Sequence, residues 1–229
     1  MSMEPRLDII GAALADPSRM RILCVMMDGR AFTNKELACA AGISAQTASV
    51  HLKRLAGAGL TTALRSGRCV YHRIANDDVA QALEALAVVS PPPQARTSSQ
   101  PRDAQTRRAR CCFSHLAGRL GVLVTGRMID MDVVRLSHGA VVPGRALAGF
   151  QARMGLARKA AGAKLCLDWT ERRHHLSGPL AIALLQRCLD AGWVARERSG
   201  RALQITPEGY DMFQRDFGLS RASIDNDPS

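Results

Sequence analysis

The stretch that most constrains this chain is residues 33–60, TNKELACAAGISAQTASVHLKRLAGAGL, which reads as two short helices joined by a tight turn. Thr33 is suited to cap the first helix, and Glu36 three residues later completes a capping box. Phe32 and Leu37 are placed to close a hydrophobic staple over that cap. Ala41-Gly42 ends the helix, because Gly42 accepts the left-handed conformation that a Cβ would penalise. Ser44 caps the second helix, which is expected to run to about 57–59. The flanking segments read as elements that serve this pair.

In the second helix Ala48, Leu52 and Leu55 repeat at helical spacing and form the stripe expected to be buried. Gln46, Thr47, Ser49, Lys53 and Arg54 fall on other faces. Short hydrogen-bonding side chains followed by cations suit a helix whose N-terminal part meets base edges in a major groove. The same pattern also describes an ordinary amphipathic helix with a solvated polar face. Residues 60–74 favour the first reading: Val70, Tyr71 and Ile74 supply β-formers, and Arg65-Ser66-Gly67-Arg68 supplies the turn between two strands. A helix pair followed by an arginine-tipped hairpin is a winged helix-turn-helix. The fold class expected is therefore mainly α with small β-hairpin wings (α+β). Ser44, Gln46, Thr47, Ser49, Lys53, Arg54, Arg65 and Arg68 are the expected DNA-binding residues. Gln46, Thr47 and Ser49 would face bases, while Lys53, Arg65 and Arg68 would meet phosphate or the minor groove.

Together with that helix pair and the wing RSGRCVYHRI, the run Ala15-Asp16-Pro17-Ser18-Arg19-Met20-Arg21-Ile22-Leu23 resembles the ArsR/SmtB family of bacterial repressors over roughly 7–86. The resemblance implies a homodimer, held by the first and last helices of this domain. It also implies binding to a palindromic operator that an inducer releases. Val50 departs from the polar or basic residue usual on the reading face. The family's two usual metal sites lack their ligands as well. Ala38-Cys39-Ala40 stands where a Cys-Val-Cys run is needed, and residues 75–89 contain no histidine.

The formal net charge of +11 favours an anionic partner, double-stranded DNA being the simplest. Seven cysteines without a regular extracellular spacing suggest thiols in a reducing cytosol. The N-terminus has no signal-peptide pattern, and no apolar run approaches a membrane span, so a cytoplasmic protein with no membrane partner is expected. The domain reading is a DNA-binding and dimerisation domain over 1–89, a Pro/Ser-rich linker over 90–105, and a sensor or packing domain over 106–229.

Within the second domain, helical recurrence of Cys112, Leu116, Leu120, Leu123 and Val124 predicts one long helix over 106–129. Residues 133–143 suggest short strands, 149–163 a weak helix, and 165–169 a short buried strand or turn. The end of the chain repeats the first domain. Leu185, Arg187, Ala191-Gly192 and the arginine-flanked turn 198–201 fall in register with Leu52, Arg54, Ala58-Gly59 and 65–68. The counterpart of the reading helix, 180–189, is apolar nearly all round, so a degenerate, buried copy is expected.

Cys112, His115, Cys166, His174 and His175 are the candidate sensor residues. Cys112 and His115 would share a helical face, and LCLDWTERRHHLSG brings the others. Three readings stand side by side. The set is a tetrahedral thiolate–imidazole site for a Zn-like or other soft metal ion. Alternatively, it holds a thiol acidified by Arg110, Arg172 and Arg173 into a redox sensor. In the third reading the cysteines are small buried residues and the histidines only hydrogen-bond. Adjacent Cys111 and Cys112 make a poor disulfide, since neighbouring Cα atoms lie about 3.8 Å apart. An enzyme is the rival class, with Cys166 and His174 as nucleophile and base, or the appended domain binds a small organic ligand. No glycine-rich phosphate loop, nucleophile elbow or zincin motif accompanies them, so a non-enzyme is expected.

Overall fold

A computed structural model describes residues 4–91, 101–197 and 200–226. The chain separates into two compact units, Met1–Ala82 and Leu83–Ser229.

The first unit opens with α1 (Leu7–Leu14) and α2 (Pro17–Met26). Asp16 caps α2, its carboxylate accepting from the N–H groups of Ser18 at 2.8 Å and Arg19 at 2.9 Å. Pro17 sits in the first turn, where a missing N–H costs nothing. β1 (Phe32–Thr33), α3 (Asn34–Ala41) and α4 (Ala45–Gly57) follow. The Thr33–Glu36 capping box is formed in both directions, Gly42 closes α3 at φ 67°, and Ser44 caps α4 by accepting from the Thr47 N–H at 3.0 Å. β2 (Thr61–Ser66) and β3 (Cys69–Ile74) make the wing, paired from Thr61↔Ile74 to Ser66↔Cys69. Phe32 and Thr33 add a third strand, in the order β1-β3-β2. Helix α5 (Asp77–Val89) begins in the first unit and ends in the second.

The second unit contains α6 (Pro101–Arg108), β4 (Arg110–Cys112), β5 (His115–Ala117), α7 (Gly118–Asp130), β6 (Val134–Ser137), β7 (Ala140–Pro143) and α8 (Leu147–Met154). It continues with β8 (Lys164–Leu167), β9 (His174–Ser177), α9 (Pro179–Asp190), β10 (Val194–Arg196), β11 (Leu203–Ile205), α10 (Pro207–Phe217) and α11 (Arg221–Asp225). The winged-helix echo predicted near the end of the chain is α9 followed by the β10–β11 hairpin, with α9 burying Leu180, Ala181, Leu184, Leu185 and Cys188. The long helix expected over 106–129 is not one element. Residues 110–117 form a hairpin instead, turned at Phe113 with φ 58°, and a helix resumes only at Gly118. Its first strand is pinned from far along the chain: the Cys111 N–H donates to the Arg201 carbonyl at 2.8 Å, and the Leu203 N–H to that of Ala109 at 2.9 Å. The helix expected over 149–163 ends at Met154, where Gly155 turns left-handed at φ 68°. Of the expected linker, residues 92–100 lie outside the described residues, and α6 covers its end.

Hairpin, helix, hairpin and helix thus occur twice in succession, first from β4 to α8 and again from β8 to α10. The two halves match residue by residue at their first junction. His115-Leu116-Ala117-Gly118 enters α7 as His175-Leu176-Ser177-Gly178 enters α9, with Gly118 at φ 75° and Gly178 at φ 84°. Both halves close on a left-handed glycine, Gly155 and Gly218. Their cores merge, with the Phe150 and Phe217 rings edge to face at 5.9 Å.

Candidate functional site

Two places carry chemistry. The first is the outer face of α4 with the wing. Ala48, Leu52 and Leu55 are buried, which turns Gln46, Thr47, Lys53 and Arg54 outward. Ser44 and Thr47 share a hydroxyl–hydroxyl hydrogen bond of 2.8 Å at the cap. Ser49 is half-buried and accepts from the Asn34 amide at 3.0 Å, so it is tied back toward α3. Val50 stands 49% exposed one turn beyond Gln46 and Thr47. Arg65 and Arg68 are exposed around the turn at Gly67.

The second place is a buried cluster in the second unit. In β4–β5 Cys112 pairs directly across from His115, and in β8–β9 Cys166 pairs across from His175. Each hairpin therefore offers one thiol and one imidazole, and the two hairpins meet. The Sγ atoms of Cys112 and Cys166 lie 3.9 Å apart, and the Nε2 atoms of His115 and His175 lie 3.1 Å apart. All four ligand-type atoms fall within 4.8 Å of one another, and all four residues are buried. Cys112 and His115 thus come together across a hairpin and not along a helix. His174 is not among them: it is exposed on β9, because successive strand residues point to opposite faces. Cys111 likewise packs into the main core, away from Cys112.

Close approach explains how the hairpins reach this position. Gly121 lets α7 lie against them, since a Cβ there would meet the Leu116 carbonyl at 2.5 Å and the His175 Cβ at 3.6 Å. Thr125 of α7 accepts the Leu176 N–H at 2.8 Å.

Behind the cluster sits Asp168, fully buried. Its Oδ1 accepts from Arg110 at 2.8 Å and from the Thr170 hydroxyl at 2.7 Å. Its Oδ2 accepts the Gly118 N–H at 2.8 Å and lies 3.3 Å from Nδ1 of His175. Arg110 is itself fully buried, with its guanidinium 4.8 Å from the Trp169 ring centroid. Burial opposes ionisation of Asp168, but His175, Arg110 and Thr170 outweigh it and hold the carboxyl well below its usual range. Burial likewise works against His175⁺, yet Asp168 and Cys166 raise that ring's pKa. Desolvation lowers the pKa of His115. The Cys112 thiol, helped by both imidazoles, brings Cys166 far down against burial, while Cys112 itself is raised by the bond to Cys166 and by burial. The acidifying groups are thus the second thiol and the rings. Arginines were expected in that role, but Arg110 is engaged by Asp168 while Arg172 and Arg173 are exposed.

One further residue faces the cluster. Glu84 of α5 is buried, acts electrostatically on Cys112 and His115, and accepts from Arg201, while its Oε2 has no hydrogen-bond partner. Sequence reading missed Glu84 and the role of Asp168. The repeated His-Leu-small-Gly junction was the available signal, since it singles out His175 over His174.

A helix-turn-helix followed by an arginine-tipped wing defines the class of DNA-binding transcriptional regulators. A family model described as a helix-turn-helix domain matches residues 14–62. The HTH-type transcriptional regulator YdfF of Bacillus subtilis is 34% identical over 226 residues, covering 95% of this chain and 99% of its own. The HTH-type transcriptional regulator CmtR of Mycobacterium tuberculosis is 40% identical over 86 residues, covering 38% of this chain and 72% of its own. The solved structure of the cadmium metal-sensor CmtR from Mycobacterium tuberculosis shares 36% identity over 39% of this chain and 98% of that one, with a TM-score of 0.32. The chain belongs to the HTH-type transcriptional regulators, with an ArsR/SmtB-type winged domain at its N-terminal end. The match to YdfF takes in the second unit as well as the first.

Proposed function

We propose that this protein is a cytoplasmic, homodimeric, sequence-specific repressor that leaves its operator when an inducer, a metal, a metalloid or an oxidant, reaches the second domain. In this reading residues 1–89 bind DNA and dimerise, 90–105 connect, and 106–229 sense. The observation that carries it is the convergence of Cys112, His115, Cys166 and His175, reactive groups buried together in the domain that lacks the polar reading helix. DNA contact is supported by the outward Gln46, Thr47, Lys53, Arg54, Arg65 and Arg68 and by the net charge of +11. Exposed Leu7 and Ile9 on α1, and Leu86 and Val89 on α5, support dimerisation through the first and last helices of the DNA-binding domain. Leu83, on the same helix as Leu86, is already buried within the chain.

The test is a binding site selected from random DNA, with release followed by fluorescence anisotropy under Zn(II), Cu(I), arsenite and peroxide. The parent should let go under at least one agent, and Cys112→Ser and Cys166→Ser should lose that response. Variants that respond like the parent to every agent would remove the cluster from the signalling path.

A further inference from the structure

The repeat within the second domain identifies what the cluster is built to hold. We infer that Cys112, His115, Cys166 and His175 form a four-ligand tetrahedral site for one thiophilic divalent cation, Zn(II) or Cd(II), shared equally by the two halves of the repeat. This rests on the sensor reading for its purpose, but not for its geometry.

Zinc–sulfur bonds of about 2.3 Å and zinc–nitrogen bonds of about 2.0–2.1 Å set two sulfurs about 3.8 Å apart and two nitrogens about 3.3 Å apart around a tetrahedral centre, and the larger Cd(II) would spread both edges. The observed separations are 3.9 Å and 3.1 Å. Both edges match within a few tenths of an ångström. A thiol–thiol contact and an imidazole–imidazole hydrogen bond have the same lengths, so the weight falls on the gathering of all four ligand atoms within 4.8 Å of one another, one thiol and one imidazole from each hairpin.

Orientation points the same way. Metal-ligating histidines characteristically face a carboxylate with their other ring nitrogen. Asp168 lies 3.3 Å from Nδ1 of His175, which leaves Nε2 directed at the cluster. Asp168 is in turn fixed by Arg110, Thr170 and the Gly118 N–H.

Charge and ligand count narrow the class. Two thiolates and two neutral imidazoles around a dication make a formally neutral unit, which suits a site where all four ligands are buried. A monovalent soft ion such as Cu(I) would leave a net negative charge there. Trivalent arsenic binds three thiolates, and the third nearest in sequence, Cys111, faces the main core. Mg(II) and Ca(II) need oxygen ligands, whereas Asp168 is already engaged by Arg110, Thr170 and Gly118.

The experiment is titration of the full-length, anaerobically reduced protein with Co(II), without DNA. One equivalent should bind with the intense visible bands of a tetrahedral ion and thiolate-to-cobalt charge transfer, and Zn(II) should displace it. Cys112→Ser and His175→Ala should weaken binding at least tenfold, and His174→Ala should leave it unchanged. Should those ligand variants fail to fold, X-ray absorption on the parent's Zn(II) form decides independently. A first shell of two sulfurs and two nitrogens upholds the site, and a sulfur-free or six-coordinate shell overturns it. Octahedral cobalt, or binding unaffected in folded ligand variants, overturns it equally. A bound metal that leaves operator affinity unchanged upholds the site and removes the inducer reading. Release by oxidant alone, from a protein that takes up no metal, does the reverse.

Discussion

The α4 helix with its β2–β3 wing, and α9 with its β10–β11 hairpin, are built from the same parts in the same order, yet they face opposite surroundings. In α4 the buried stripe is narrow, Ala48, Leu52 and Leu55, and the outer face carries amides, hydroxyls and cations. In α9 five apolar residues are buried. Its hairpin is also stitched into β4, through the Arg201 carbonyl and the Leu203 N–H. A winged helix is thus a frame that fixes directions. Polarity on one face decides whether that frame meets a groove or becomes interior. The second frame is spent on holding the strand that bears Cys112.

The sharpest test of this contrast lies in the interior. Asp168→Asn should destabilise the second unit by about 3–5 kcal/mol in urea unfolding, because Arg110 would remain buried without its counter-charge. A loss below about 1 kcal/mol would mean that water reaches the pair. Next comes the comparison of two outward glutamines. Gln46→Ala should cost roughly 1–3 kcal/mol on the selected operator and little on random DNA, while Gln186→Ala on α9 should change neither. Equal effects from the two would abolish the distinction drawn between the helices. Ser44→Ala, which removes the cap of α4, should lower the stability of the first unit by about 1 kcal/mol in thermal unfolding. The smallest effect is expected at the wing tip. Arg68→Ala should weaken all sequences alike and reduce the salt slope by about one unit, whereas Arg201→Ala should leave the slope intact because its partner is Glu84. A changed slope with Arg201→Ala would put the second hairpin on DNA.

The first unit was legible because its signals are local. Thr33 with Glu36, Gly42, Ser44 and the Ser-Gly turn each act within four residues, and the structure uses all of them. The second unit misled where local pattern and distant pairing disagree. Cys112, Leu116 and Leu120 recur at helical spacing, but strand pairing with each other and with the end of the chain takes 110–117 into a hairpin. Phe113 and Gly118 hold the backbone reversals this needs, and only Gly118 advertises one in the sequence. The choice between His174 and His175 depends on strand register, which is set by Cys166 across the ladder. The residue types of the cluster were therefore readable, and their assembly was not.

Burial of all four cluster side chains also has a consequence in time. With Cys112 1% and Cys166 7% exposed, reagents reach these sulfurs mainly when the two hairpins open, so reaction there is slowed by the rarity of that opening. Each hairpin holds only half of the set, and an occupant must lose both halves before it escapes. Arrival and departure would then be slow and coupled to breathing of the fold, and the cluster would answer to exposure averaged over many openings and not to a brief pulse.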